Sequence, residues 1–303
     1  MGRNIFMITQ YFSEKGIETP EYDFSFICIT QDKEKDNELI NELQKNILKS
    51  YRAPNFYQLK KNSLTRTELE NYIKNNVIPK AENGFDYAVR YGDFGEVFAS
   101  MILRFLYHKE SFNKLRWKYN PDKSVMGTDL VSFDSIDNPT EIIYSEVKTL
   151  QNALEKKTIT WKKVNGRKVP DITGFITVVA YNSLEKDIDS SRETILDYMS
   201  RLYLEKEDYK KAQLFSDLVE QKKTIDKSFK IFIITDSSII KDKETDNEKD
   251  FLQTLTDIAT IQNKISPLSV TYIFIDKIKE LVTDTWDTIV SNGGNFIEEN
   301  TLL

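Results

Sequence analysis

The chain has 303 residues and a net charge of −6, with 40% hydrophobic and 30% charged residues, the balance of a globular chain and not of a disordered one. A single cysteine, Cys28, excludes an internal disulfide and a cysteine-based zinc cluster; a single histidine, His108, excludes a multi-histidine metal site and argues against a Ser-His-Asp hydrolase. No apolar run has the length of a bilayer span and the first residues lack a signal-peptide core, so a cytoplasmic protein is expected, with acid–base chemistry resting on carboxylates and lysines.

In chain order, Tyr22 to Thr30 reads as a strand. A helix follows from Asp36 to Arg52, with Leu39, Ile40, Leu43, Ile47 and Leu48 at helical spacing. A second helix from Thr65 to Lys80 has Ser and Thr ahead of it for capping. These elements are expected to form an N-terminal α/β subdomain or lid over residues 1–88, ahead of a second domain over 89–303. Gly92 to His108 predicts a strongly hydrophobic helix interrupted by Glu96, which stands beside Gly95 near the expected helix start. Glu96, Ser100, Arg104 and His108 recur every four residues, as the wet stripe of a half-buried helix would. His108 closes that helix, where the dipole favours a cation, so its expected role is structural.

Strands are expected near Leu115 to Tyr119, Thr128 to Asp134 and Glu141 to Thr149. The stretch TITWKKVNGRKVP reads as a hairpin about Asn165-Gly166, a pair suited to the positive φ angles of a type I′ turn. A further apolar strand is expected at Phe175 to Tyr181, then a long helix or helical pair from Ser190 to Gln221. The last third alternates strand (Lys230 to Asp236), helix (Lys249 to Ile261), strand (Ser269 to Asp276) and helix (Lys277 to Ser291). The fold class is therefore α/β with a mixed sheet.

Two of these strands carry acid where a core strand should be apolar. Asp129 shares a face with Val131 and Phe133, and Glu146 shares one with Ile142, Tyr144 and Lys148. The Ser135-Ile136-Asp137-Asn138-Pro139 segment is turn chemistry, so an antiparallel hairpin would bring both carboxylates within reach of each other. Like charges in a desolvated place need a shared proton, a cationic side chain or a metal; Lys148 is one candidate and a divalent cation the other. Oxygen ligands from a few carboxylates suit Mg²⁺. Other acid-x-Lys triplets, Glu155-x-Lys157, Asp208-x-Lys210 and Glu220-x-Lys222, read as solvated surface.

From Arg104 to Lys168 there are thirteen Lys or Arg against eight Asp or Glu, so basic charge gathers around this hairpin in an otherwise acidic chain. Lys156, Lys157, Lys162, Lys163, Arg167 and Lys168 surround Trp161. They could guard an edge strand, but cations with an aromatic ring also suit phosphate contacts and stacking on an unpaired base, and nucleic acid is the partner they suggest.

The order helix-Glu, strand-Asp, strand-Glu-x-Lys resembles the PD-(D/E)xK nuclease superfamily. The segments GDFGEVFA, MGTDLVSFD and YSEVKT resemble the HamA family of nuclease subunits from the Hachiman anti-phage system and their relative AbpA. Thr128 stands where the superfamily motif has its leading Pro. The resemblance implies a restriction-endonuclease-like mixed sheet flanked by helices and a Mg²⁺- or Mn²⁺-dependent DNA nuclease. Asp129 and Glu146 would hold the metal with the carbonyl of Val147, Glu96 would support it, and Lys148 would orient or activate the attacking water. It also implies a superfamily-2 helicase partner, HamB-like, that restrains the nuclease.

Overall fold

The computed structural model describes residues 12–17, 24–31, 36–82, 84–118, 120–122, 127–164, 166–220, 222–241 and 265–302. Among these, nine strands form two sheets: β1 (Phe12–Ile17), β2 (Phe24–Gln31), β3 (Glu110–Asn113), β4 (Leu130–Phe133), β5 (Glu141–Thr149), β6 (Lys157–Val164), β7 (Arg167–Gly174), β8 (Asp226–Asp236) and β9 (Leu268–Ile275). The large sheet runs β1-β2-β9-β8-β5-β4-β3, and β6 and β7 pair only with each other. The centre from β2 to β5 is parallel and both edges are antiparallel, a mixed sheet.

The central strands read as nearly unbroken apolar runs because both faces are covered. In β8, Phe232 and Ile234 enter one core while Ile231 and Ile233 enter the other. The first core lies under α1 (Asp36–Tyr51), α2 (Pro54–Lys61), α3 (Arg66–Asn76), α4 (Gly84–Phe105) and the last helix, α8 (Ile278–Glu298). The second lies under α5 (Ile176–Glu205) and α6 (Tyr209–Val219). A short α7 (Ser238–Lys241) follows β8. Thr65 caps α3 through a capping box with Glu68, worth about 1 kcal/mol.

Several expectations are corrected. The helix expected from Gly92 begins at Gly84 and ends at Phe105, which puts Glu96 in mid-helix instead of near the start. Gly92 is exposed with open space around it, so its cost there is one of propensity, about 1 kcal/mol, and the flanking turns override it. His108 lies beyond the helix in the left-handed region, φ 53°, and is not in the last turn. The strand expected at Leu115 to Tyr119 is instead β3, at Glu110–Asn113, followed by a 3-10 turn at Lys114–Trp117. That turn buries Leu115 and aims Lys114 and Lys118 inward. Phe175 to Tyr181, expected as a strand, leads into α5. Its β-branched residues favour extended backbone, but Val178, Tyr181 and Leu184 recur at helical spacing and bury together in the second core, and burial outweighs propensity. The helix expected at Lys249 to Ile261 lies outside the described residues.

Candidate functional site

The acidic hairpin forms as the alternation requires. β4 and β5 are antiparallel, with Leu130 opposite Ser145 and Val131 opposite Tyr144. Extended one step, to the residue just before β4 begins, that register would set Asp129 opposite Glu146. There Asp129 Oδ2 accepts the backbone N–H of Val147 (2.8 Å) and Oδ1 accepts Lys114 Nζ (2.5 Å). Both acids are buried, Asp129 at 8% and Glu146 at 2% exposure.

Glu96 reaches the same place from α4, which packs closely on β5 through Gly95. A Cβ on Gly95 would lie 1.9 Å from Thr149 Oγ1 and 3.3 Å from Val147 Cγ1, so only glycine lets the helix approach this near. The resemblance pointed to this Gly-Glu pair; the structure supplies its packing reason.

Lysines close the cluster. Lys148 Nζ donates to Glu146 Oε1 at 2.5 Å and its side chain remains 28% exposed. Lys114 Nζ also donates to the Gly127 carbonyl at 2.9 Å and stands 3.8 Å from Glu96 Oε1. Sequence reasoning missed Lys114; two lysines four apart beside apolar residues in FNKLRWKYN were the available signal.

Burial, with the Asp129 charge beside it, pushes the Glu146 carboxyl up to about 7. Burial and Asp129 also hold Glu96 well above its ordinary value, with Lys114 opposing. Burial opposes the charge of Lys114 and Lys148, yet the surrounding carboxylates outweigh it and both ammonium groups are held above their ordinary values. Even so, Glu96 Oε2, Glu146 Oε2 and Thr149 Oγ1 are buried without a hydrogen-bond partner. Buried oxygens in that condition are costly, and the arrangement has room in its bonding for a further cation.

All-oxygen donors in this number fit a hard divalent ion such as Mg²⁺. Among the described residues no three carboxylates are gathered closely enough to hold a metal ion, and Lys114 stands 2.5 Å from Asp129 and 3.8 Å from Glu96.

The basic hairpin forms too: β6 and β7 pair antiparallel, with Val164 opposite Arg167 and Gly166 at φ 78°. Lys163 and Arg167 are exposed at its tip. Lys156 lies over the Phe175 ring at 5.3 Å and Lys157 pairs with Glu155 at 2.9 Å. The side chains of Trp161, Lys162 and Lys168 lie outside what is described. The exposed pairs Glu155–Lys157 and Glu220–Lys222 are surface pairs, as expected.

No helix of the described residues is long and apolar enough to cross a membrane. No curated protein matches the sequence. The HamA family model matches residues 6–287, nearly the whole length: the chain belongs to the HamA family and is a component of Hachiman anti-phage defence.

Proposed function

We propose that the chain is a metal-dependent DNA nuclease of the PD-(D/E)xK type, the effector of its defence pair. One observation carries this reading: the buried carboxylates Glu96, Asp129 and Glu146 surround Lys114, two of them with unpartnered oxygens, and the partly exposed Lys148 pairs with Glu146. A purely structural ion cluster would pair its oxygens.

Asp129, Glu146 and Glu96, with the Val147 carbonyl, would hold Mg²⁺ or Mn²⁺, which when bound would polarise the scissile phosphate and its attacking water. Lys148 would orient or activate the attacking water and balance charge building on the phosphate oxygens. Glu146 holds that ammonium in place. The Val147 N–H fixes Asp129, and Gly95 fixes the distance between α4 and β5. Lys163 and Arg167 at the hairpin tip suit contacts with the nucleic-acid backbone. Such contacts carry no sequence information, so discrimination between host and invading DNA falls to the proposed superfamily-2 helicase partner.

A second reading has its own observation. With Lys114 filling the position between Glu96 and Asp129, the domain could be a nuclease-like module that anchors or regulates the helicase without cutting. Supercoiled plasmid incubated with Mg²⁺ or EDTA, with and without helicase, separates the two. Metal-dependent nicking that is lost in Lys148→Ala supports the nuclease; no cleavage in any mixture, together with no Mn²⁺ binding by calorimetry, selects the module.

A further inference from the structure

A cavity with mixed polar and apolar walls lies further along α4 from this centre. It measures about 320 Å³ and lies between α1, α4, β3, the 3-10 turn and the end of α5. Lys49, Arg104, Arg116 and Lys206 line it, and no Asp or Glu does. Among the described residues no carboxylate lies within ion-pair distance of Arg104, Arg116 or Lys206. Arg116 instead donates to the Lys49 carbonyl at 2.6 Å, and Lys206 stands over the Tyr203 ring at 5.6 Å.

Arg104, Arg116 and Lys206 line one cavity whose walls hold no acid, and like charges there repel one another. Partial burial lowers the basicity of Arg104; Glu110, from outside the cavity, opposes this, and the Arg116 charge adds to the lowering. An independent feature lies in the wall: Ser111 is 8% exposed, lines the cavity and has a buried hydroxyl without a partner. Guanidinium groups and an unpartnered hydroxyl in the walls of one cavity match a phosphate, which accepts several charge-assisted hydrogen bonds at once.

The cavity also shares two elements with the carboxylate centre. Glu96, Ser100 and Arg104 succeed one another on a single face of α4, and Lys114 and Arg116 belong to one turn. Arg104 is eight residues from Glu96, a rise of about 12 Å, or three to four phosphates of a stacked strand.

We propose that this cavity is a phosphate-binding site for the nucleic-acid strand entering the carboxylate centre, with Arg104, Arg116 and Lys206 as its cations and Ser111 as a donor. The assignment of the ligand rests on the nuclease reading. It places the strand on the α4 side of the molecule, in addition to the basic hairpin.

The test measures equilibrium binding of a labelled single-stranded DNA to the full chain in EDTA, across a salt series, so nothing is cut and the plasmid assay judges the nuclease reading separately. Arg104→Ser/Arg116→Ser should weaken binding about tenfold or more and flatten the plot of log affinity against log salt by about 1.5, two phosphate contacts' worth. Unchanged affinity and slope in a folded double variant would overturn the proposal. Should that variant not fold, Lys206→Gln, at an exposed position, carries the same test with about half the change in slope. Competition identifies the phosphate source. Displacement by unlabelled strand, and not by inorganic phosphate or a mononucleotide at the same phosphate concentration, supports the strand; saturable mononucleotide binding at these residues that DNA does not displace would overturn it.

Discussion

Two buried acid–lysine clusters sit within one turn of each other on α4, and they differ in how their charges are settled. In the first, Lys118 Nζ contacts both oxygens of Asp93 at 2.6 Å and the Tyr51 hydroxyl donates to the same carboxylate. Lys118 also lies 5.8 Å from the Tyr51 ring centre. Every oxygen has a partner, so the cluster is complete in itself. The second cluster, built on Glu96, Asp129 and Glu146, retains unpartnered oxygens despite two lysines. Burial raises carboxyl basicity in both, so burial alone does not mark a functional site. Surplus acceptor capacity does, because a ligand can supply what the protein leaves out.

The largest effect should separate the two by function. Glu146→Gln keeps the shape but removes the charge that a metal and Lys148 both use. Cleavage should fall by at least about 10³-fold, on the scale of losing a major electrostatic contributor, with the melting temperature held or raised. Retained plasmid cleavage would move the chemistry elsewhere. Lys118→Met should do the reverse: it strands Asp93 and should cost about 3–5 kcal/mol in urea unfolding, the usual cost of breaking a buried pair. A loss below about 1 kcal/mol would mean that Asp93 is content with Tyr51 and a proton.

A third buried lysine sharpens the contrast. Lys230 is 7% exposed, sits 4.0 Å from the centre of the Tyr107 ring and has no carboxylate within ion-pair distance among the described residues. Burial lowers it to about 8, with Glu14 and Glu141 opposing from farther off and Lys109 reinforcing. The folded state therefore gives up this proton at lower pH than the unfolded chain, which binds more protons between pH 8 and 10.5. Stability should rise with pH through that window, by up to about 3 kcal/mol. Lys230→Met should abolish the rise and be the more stable protein at pH 7, as paired urea titrations at pH 7 and 10 would reveal.

The smallest effect concerns the seam that joins the clusters to the sheet. Gly95→Ala should cost about 1–3 kcal/mol, since Thr149 and Val147 must give way to the new methyl group. Cleavage should fall by more than the stability loss explains, because Glu96 moves with the helix. Thr149→Ser, which keeps the hydroxyl and removes only a methyl, should leave stability within about 1 kcal/mol in the same melts.

Much of this centre was legible beforehand. A period of two along the strands and the turn between them bring Asp129 and Glu146 within reach of each other, and β4 and β5 do pair antiparallel in a register fixed by their buried faces, since a one-residue slip would exchange those faces. The Asn165-Gly166 hairpin was legible because its turn is local chemistry. Phe175 to Tyr181 misled because residue type favours a strand while the position in the second core favours a helix. The turn at Lys114–Trp117 misled for a related reason: alternation in FNKLRWKYN resembles a strand, and nothing local records that two of its lysines have buried acids to meet.

By itself, then, the sequence determined which acids belong to one hairpin, which charged triplets are surface, and membership in the HamA family, since these rest on local periodicity and on residues close together in the chain. Only the tertiary structure decided that Lys114 stands between Glu96 and Asp129, that Asp93 and Lys118 complete each other, and that Lys49, Arg104, Arg116 and Lys206 line one cavity. Those groups come from different elements, and the distance between charges that are remote in the chain is set by how helices pack on the sheet, which no local pattern encodes.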